Sequence, residues 1–182
     1  MPDTVGKGGL TGIENWSPDG SRVLISCETK DGRDGIGVAN FNDETGTADE
    51  LRVFDLPHHL MNRACWSPDG KFLVYEAVSE GSWDLWIASG EGKEPRRLTS
   101  GSGNERSPVW SPEGKSLYYI HDSRSIMRLP MKDGSASGPA QLWARFPRTK
   151  IDSDSLARTK DLAVIAVTEE GSDLWLVEFP EK

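Results

Sequence analysis

The chain has 182 residues, of which 36% are hydrophobic, including seven Trp, and its formal net charge is −8. This length suits one domain, and the hydrophobic content indicates a folded core rather than a disordered chain. The acidic charge argues against a nucleic acid or an anionic membrane as the main partner. No apolar run approaches the roughly 18 residues of a membrane-spanning helix.

One pentapeptide recurs three times and organises the sequence. It reads W-S-P-D-G from Trp16 and from Trp66 and W-S-P-E-G from Trp110, so the copies begin 50 and then 44 residues apart. Internal periods of about 40 to 50 residues are typical of repeat architectures. Ser, Pro, Asp and Gly in this order favour a type I turn that closes into a bulge and joins two antiparallel strands. Each copy therefore predicts a hairpin whose first strand ends at Trp.

Three more strands are predicted in each repeat after the turn. The second strands cover residues 23–25, 72–75 and 117–120, the third strands 36–39, 85–88 and 126–129, and the fourth strands 51–54, 96–99 and 141–143. The second strands are apolar on both faces, as expected for a sheet that lies between two other sheets. Four antiparallel strands per repeat form the blade of a β-propeller. The predicted fold class is therefore all-β, a propeller of four-stranded antiparallel blades.

A fourth repeat is recognisable near the C-terminus, although it lacks the pentapeptide. Aligning Leu156 with Trp66 places residues 162–165 over 72–75 and residues 173–175 over 84–86. We therefore predict a single propeller domain over residues 1–182. Its blades are expected at about 12–57, 62–100, 105–147 and 151–180, and residues 4–11 are a candidate closing strand.

The chain resembles the TolB-like family of bacterial β-propellers over nearly its whole length. The resemblance is carried by the three pentapeptides, by the D-L-W segments at Asp84 and Asp173, and by the R-R-L-T segment at Arg96. It implies a propeller that binds, gates or scaffolds. Related blades occur in periplasmic envelope proteins, in sensor regions of kinases and in front of hydrolase domains.

Blade number is where the sequence departs from this family, whose propellers usually have six or more blades. Four repeats are visible here. Three alternatives follow: a part of a longer propeller, a homodimer that completes an eight-bladed ring, or a four-bladed ring closed by one chain. An unpaired blade edge is an aggregation hazard, so some closure or partner is expected.

The sequence contains no recognised catalytic or metal-binding signature. G-x-S-x-G, Walker A and H-E-x-x-H motifs are all absent. Cys27 and Cys65 fall on predicted strands and are expected to be buried thiols. His58 and His59 fall in the loop between blades 1 and 2, and His121 ends a strand of blade 3. They are expected to be solvated rather than to bind a metal, because a metal site needs convergent ligands. We therefore predict no catalytic residue, no metal site and no cofactor.

The best candidate surface is one mouth of the central channel. In a propeller, the segments entering the innermost strands surround this mouth, and the loops between second and third strands share its face. The predicted ligand-binding residues are Glu14, Asn62, Arg63, Glu105, Arg106, Asp152 and Asp154. Trp83 is the only tryptophan retained as a contact residue. An acidic face with a few arginines suits a cationic peptide, a sugar or a divalent ion.

The leading functional hypothesis is a non-catalytic binding or scaffolding propeller that presents this polar, acidic face to a protein, peptide or small ligand. The first alternative is an accessory or sensor propeller fragment of a larger hydrolase or kinase. The second is a propeller polysaccharide lyase or glycosidase using carboxylates at the mouth. Predicted partners are a protein or peptide, or a second copy that completes the ring, but no nucleic acid and no inserted membrane. Residues 1–7 lack a hydrophobic stretch, which predicts the cytoplasm, or the periplasm for an excised mature piece.

Overall fold

The computed structural model describes residues 5–152, 156–158, 162–169 and 171–178. The regular secondary structure in these ranges consists of β-strands, which form four antiparallel sheets in chain order. Among the described residues, no helix is long and apolar enough to cross a membrane. The predicted all-β fold of four-stranded antiparallel blades is confirmed.

Each sheet is one blade, and in blades 1 to 3 the strands follow the chain outward from the strand that ends at the pentapeptide tryptophan. Blade 1 contains β1 (Val5–Trp16), β2 (Arg22–Thr29), β3 (Asp34–Asn42) and β4 (Thr47–Val53). Blade 2 contains β5 (Met61–Trp66), β6 (Phe72–Ser79), β7 (Ser82–Ser89) and β8 (Arg96–Arg97). Blade 3 contains β9 (Glu105–Trp110), β10 (Ser116–His121), β11 (Ser125–Lys132), β12 (Ser135–Ala136) and β13 (Gln141–Arg145).

Blade 4 contains β14 (Lys150–Ile151), β15 (Ala157–Arg158), β16 (Leu162–Glu169) and β17 (Gly171–Glu178). Both β14 and β15 pair with β16, at opposite ends of it. They are two parts of one interrupted first strand. The β16–β17 hairpin then completes the described part of this blade.

The pentapeptides form the turns that their sequence predicts. In the first copy, the Gly20 amide donates to the Ser17 carbonyl at 2.9 Å, and the Ser17 hydroxyl donates to Asp19 Oδ1 at 2.6 Å. The Ser17 hydroxyl oxygen also accepts from the Arg22 amide, at 2.9 Å, where β2 begins. Gly20 has a φ of 73°, which a side chain disfavours. This network ties the ends of the two strands together.

Three apolar cores lie between blades, and the second strands of blades 2 and 3, β6 and β10, each contribute to two of them. Leu73 and Tyr75 of β6 join Leu24 of blade 1 in one buried cluster. Val74, between them in sequence, joins Leu117 of blade 3 in the next cluster. Alternate side chains of a strand point to opposite faces of its sheet. This is why these second strands carry apolar side chains on both faces.

Residues 5–11 are not a closing strand for blade 4 in this structure. They form the beginning of β1, which pairs with β2 from Val5 opposite Thr29 to Trp16 opposite Val23. The ladder contains bulges, and Gly9 adopts a φ of 69° within it. Pairing with β2 satisfies the backbone groups of this stretch locally, so blade 1 begins earlier than the sequence predicted.

Candidate functional site

The first strands of the four blades lie next to one another in chain order, and we call the space that they line the channel. Strand β1 contacts β5, β5 contacts β9, and β9 contacts β15. A cavity of about 350 Å³ opens between these strands. Blade 1 contributes Glu14 and Asn15, blade 2 Arg63 and Cys65, blade 3 Pro108 and Val109, and blade 4 Leu156. All four blades therefore contribute to one concave site.

A backbone irregularity in the first strands shapes this cavity. Arg63 has a φ of 40° and Ser107 a φ of 52°, and each lies three residues before the tryptophan of its repeat. The register of the sheet shifts at both places. A left-handed residue within a strand marks a bulge, which re-aims the neighbouring side chains. The bulge explains how a charged residue inside β5 comes to line the channel.

The two charged side chains of the cavity carry opposite signs. Glu14 of blade 1 and Arg63 of blade 2 both line it and both are half-buried. Charges in a concave, partly desolvated site interact more strongly with a ligand than the same charges on an open surface. The cavity can therefore bind a cationic group near Glu14 and an anionic group near Arg63.

The thiol in the cavity is not poised for nucleophilic chemistry. Cys65 is half-buried, and its Sγ lies 3.3 Å from the Pro108 carbonyl oxygen, to which it donates. Burial, followed by the negative charges of Glu76 and Glu14, raises the pKa of Cys65 to about 12. The thiolate is the reactive form of cysteine. At neutral pH this thiol remains protonated and acts as a small apolar wall of the cavity.

Arg106 and Trp83, both predicted contact residues, bind each other. The guanidinium carbon of Arg106 lies 4.1 Å from the centre of the Trp83 ring. Its Nε lies 2.6 Å from Oε2 of Glu76, a carboxylate with no exposed surface. The Ser107 amide donates to Oε1 of Glu76 at 2.5 Å. The arrangement joins blade 3 to blade 2, so Arg106 has a structural role.

Glu105 and His121 form a second cluster on the same face. His121 Nδ1 lies 3.0 Å from Oε1 of Glu105, and the Thr99 hydroxyl donates to Oε2 at 3.4 Å. Burial raises the pKa of Glu105, while the hydrogen bond and charge of His121 act in the opposite direction. The Asn104 amide donates to Asp122 beside this pair, at 2.9 Å. The entry segment of blade 3 and its β10–β11 loop therefore meet.

One of the three histidines, His58, differs from the sequence prediction of solvated side chains. His58 is 8% exposed and lies between blades, with its ring 4.2 Å from that of Trp86 and Nδ1 3.4 Å from the Tyr75 hydroxyl. Burial lowers the pKa of His58. His59 is exposed, as predicted. The prediction was wrong for His58 because the loop after β4 packs its apolar neighbours, Phe54 and Leu56, into the first interblade core.

Asn62 and Asp152, two further predicted site residues, are not among the residues that line the cavity. Asn62 is half-buried in β5, and its Oδ1 accepts from the Arg63 amide at 2.9 Å. Asp152 is exposed immediately after β14, and Asp154 lies outside the described residues. Within the described ranges, no group of three or more His, Cys, Asp or Glu is arranged to hold a metal ion. Of the seven predicted residues, the structure brings Glu14 and Arg63 together in the channel.

No family model matches the chain. An uncharacterized protein of Agrobacterium fabrum, Atu1656, is 28% identical over 89% of this chain and 48% of its own length. The Tol-Pal system protein TolB of Anaeromyxobacter dehalogenans is 31% identical over 52% of this chain and 20% of its own. An uncharacterized peptidase of Bacillus subtilis, YuxL, is 43% identical over 29% of this chain and 8% of its own. The chain thus spans less than half the length of these relatives.

Solved structures share the fold at lower identity. A putative TolB from Agrobacterium tumefaciens superposes with a TM-score of 0.77 at 19% identity, over 96% of this chain and 64% of that one. A puromycin hydrolase mutant complexed with PGG superposes with a TM-score of 0.68 at 16% identity, over 93% of this chain and 27% of that one. TolB from Acinetobacter baumannii superposes with a TM-score of 0.52 at 15% identity, over 88% of this chain and 51% of that one. In its fold and its repeats, the chain is a TolB-like β-propeller.

Proposed function

We propose that this chain is a non-catalytic binding propeller whose channel cavity takes a short, extended segment of a peptide or protein partner. The observation that carries the proposal is the cavity of about 350 Å³ that inner strands of all four blades share. Sites on rigid scaffolds at the convergence of several elements are the usual position of ligand pockets.

The chemistry of the lining favours a peptide with both charge signs. Glu14 pairs with a cationic side chain, Arg63 pairs with an anionic group, and Pro108 and Val109 supply apolar contacts. Each charge-assisted hydrogen bond contributes about 1.5–3 kcal/mol when it is shielded from water. The protonated Cys65 thiol adds packing surface rather than a nucleophile.

Panning a random hexapeptide library against the purified chain tests this proposal. The enriched peptides are expected to combine Lys or Arg with Asp or Glu. Glu14→Gln is expected to remove the preference for the cationic residue and to weaken the selected peptides by about 10- to 100-fold. Arg63→Gln should remove the anionic preference in the same way. Glu44→Gln, in an exposed turn of blade 1, is the matched control. Identical enrichment for all four proteins contradicts the proposal.

A second candidate function is an accessory propeller of a larger hydrolase. It is favoured by the similarity to the uncharacterized peptidase YuxL and by the fold shared with the puromycin hydrolase. In this case the channel gates access of a peptide to a catalytic domain. Sequencing the gene on both sides of the region encoding this chain tests it. A hydrolase domain in the same reading frame supports this candidate, and its absence from that frame contradicts it.

The proposal also includes a second copy of the chain as a partner that completes an eight-bladed ring. Four blades per chain and the large apolar side chains exposed on blade 1 support it. Ligand binding in the cavity and pairing of two chains are separate parts of the proposal, and they are measured by separate experiments.

A further inference from the structure

Blade 1 exposes large apolar side chains along its first strand. Leu10 is 50% exposed, Ile13 69% and Trp16 46%. The equivalent tryptophans of the next two repeats, Trp66 and Trp110, are 4% and 8% exposed. The same pentapeptide residue is therefore buried twice and exposed once, so the difference lies in what surrounds it.

Blade 2 shows what normally covers this tryptophan. Trp66 belongs to the cluster that blade 2 shares with blade 1. The guanidinium carbon of Arg22, in blade 1, lies 5.1 Å from the Trp66 ring centre, and Asn15 Oδ1 of the same blade accepts from the Trp66 amide. Trp110 likewise belongs to the cluster that blade 3 shares with blade 2. Each buried pentapeptide tryptophan thus packs against the preceding blade.

The face of blade 1 turned away from blade 2 is prepared for such a neighbour. Val23, Ile25 and Ala39 form a small apolar cluster, and Phe41 and Leu51 pack on it while remaining partly exposed. Trp16 meets the edge of the Phe41 ring there, at a ring-centre distance of 4.7 Å. We call the surface formed by Leu10, Ile13, Trp16, Phe41 and Leu51 the Trp16 face. A contiguous apolar surface of this kind marks an interaction site.

We propose that the Trp16 face binds blade 4 of a second copy of this chain. The inference rests on the homodimer part of the proposed function and names its interface. Strand β16 contains the run L-A-V-I-A-V, which is apolar at both sets of alternating positions. Strands β6 and β10 have the same property, and each lies between two blades. The pattern predicts that blade 4 also packs against a blade on each side.

Continuity with the interblade contacts specifies the geometry. Blade 3 already packs on one side of blade 4, through Tyr118 and Ile120 against Ile151 and Leu156. A following blade must present a pentapeptide tryptophan to the other side, and the Trp16 face does so. Two chains related by a twofold axis make this contact twice, once at each junction, and close an eight-bladed ring. No strand of blade 4 is among the principal contacts of blade 1 within the described residues.

Light scattering behind size exclusion tests the interface on the whole chain, loaded from about 1 to 100 μM. The wild-type protein is expected at twice its mass of 20.0 kDa. Ile13→Asp places a carboxylate in the interface and should raise the dissociation constant by at least about 100-fold, giving a monomer. Leu10→Asp, a second variant, should act in the same direction. Leu142→Asp is the control, because Leu142 is 58% exposed on β13, away from the Trp16 face.

Each outcome has a distinct meaning, provided that circular dichroism shows folded β-structure. A wild-type monomer across the whole range overturns both the dimer and its interface. A wild-type dimer that persists in both Ile13→Asp and Leu10→Asp overturns the interface while leaving the homodimer in place. Neither result bears on ligand binding, which the peptide panning measures independently.

Discussion

Arg106 Nε lies 2.6 Å from Oε2 of Glu76, and this contact places an ion pair between two propeller blades. Glu76 has no exposed surface, and the Arg106 side chain is 17% exposed. The Trp83 ring covers the other side of the guanidinium. Arg106 therefore supplies a positive charge to a carboxylate that is fully buried.

Arg106→Met is expected to destabilise the protein by about 3–5 kcal/mol, because it removes one partner of a buried ion pair while the Glu76 carboxylate stays buried. The double variant Glu76→Met/Arg106→Met should cost clearly less than the sum of the two single variants. Urea denaturation of all four proteins measures both quantities. Lys93→Met, at an exposed position, is the control. Additive single-variant effects would show that the pair is not coupled.

The two buried pentapeptide tryptophans differ in one hydrogen bond. Trp66 Nε1 donates to the Gly90 carbonyl oxygen at 3.2 Å, whereas Trp110 Nε1 is buried without an acceptor among the described residues. Trp→Phe removes similar volume at both sites. Trp66→Phe should therefore cost about 1 kcal/mol more than Trp110→Phe. Chemical denaturation with a far-ultraviolet signal compares them, and an equal or reversed order contradicts the prediction.

Two glycines with the same backbone conformation should respond differently to alanine. Gly20 and Gly92 have φ values of 73° and 72°. A Cβ at Gly20 meets nothing within 4 Å, whereas a Cβ at Gly92 runs into the buried Phe54 ring. Gly20→Ala should cost about 1 kcal/mol from backbone strain alone. Gly92→Ala should cost more than this, because Phe54 must also move within the first interblade core. Thermal unfolding of the two variants measures this difference, and a similar loss of stability in both would refute the steric argument.

Burial of His58 predicts a pH dependence of stability. Its pKa lies below the ordinary value of 6.5 in the folded state, so below about pH 6.5 the unfolded chain binds more protons than the folded chain. Stability is therefore lost as the pH falls from about 7.5 to 5.5. The raised pKa of Glu105 acts in the opposite direction, because there the folded state holds the extra proton.

Comparing variants isolates the His58 contribution from that of Glu105. His58→Gln should show a smaller loss of unfolding free energy over this pH range than the wild type. His59→Gln, at the adjacent exposed position, should retain the wild-type dependence. Urea midpoints at both pH values provide the measurement. A wild-type slope in His58→Gln would mean that another group titrates.

Much of the architecture was predictable because its signals are local. The Ser17–Gly20 turn depends on side chains and backbone groups within a few residues, and the double-sided apolar strands announce a sheet between two sheets. The D-L-W and R-R-L-T segments fall in or beside strands, as predicted. Because the sequence repeats, a strand assignment that is correct for one blade also applies to the other blades.

The composition of the site was only partly predictable, since it depends on contacts between blades. The sequence near Arg63 contains no signal for the bulge that directs this side chain towards the channel. Glu76 was overlooked because a carboxylate within an apolar strand has no local signature of its partner, Arg106, which lies in another blade.

The pentapeptide shows which features the sequence determines and which ones the tertiary structure determines. Its five residues specify the turn and place a tryptophan at the end of a strand, wherever they occur. They do not determine the fate of that tryptophan. Trp66 is buried by blade 1, while Trp16, in an identical W-S-P-D-G, is 46% exposed. Burial depends on a surface more than one strand away, so only the tertiary structure decides it.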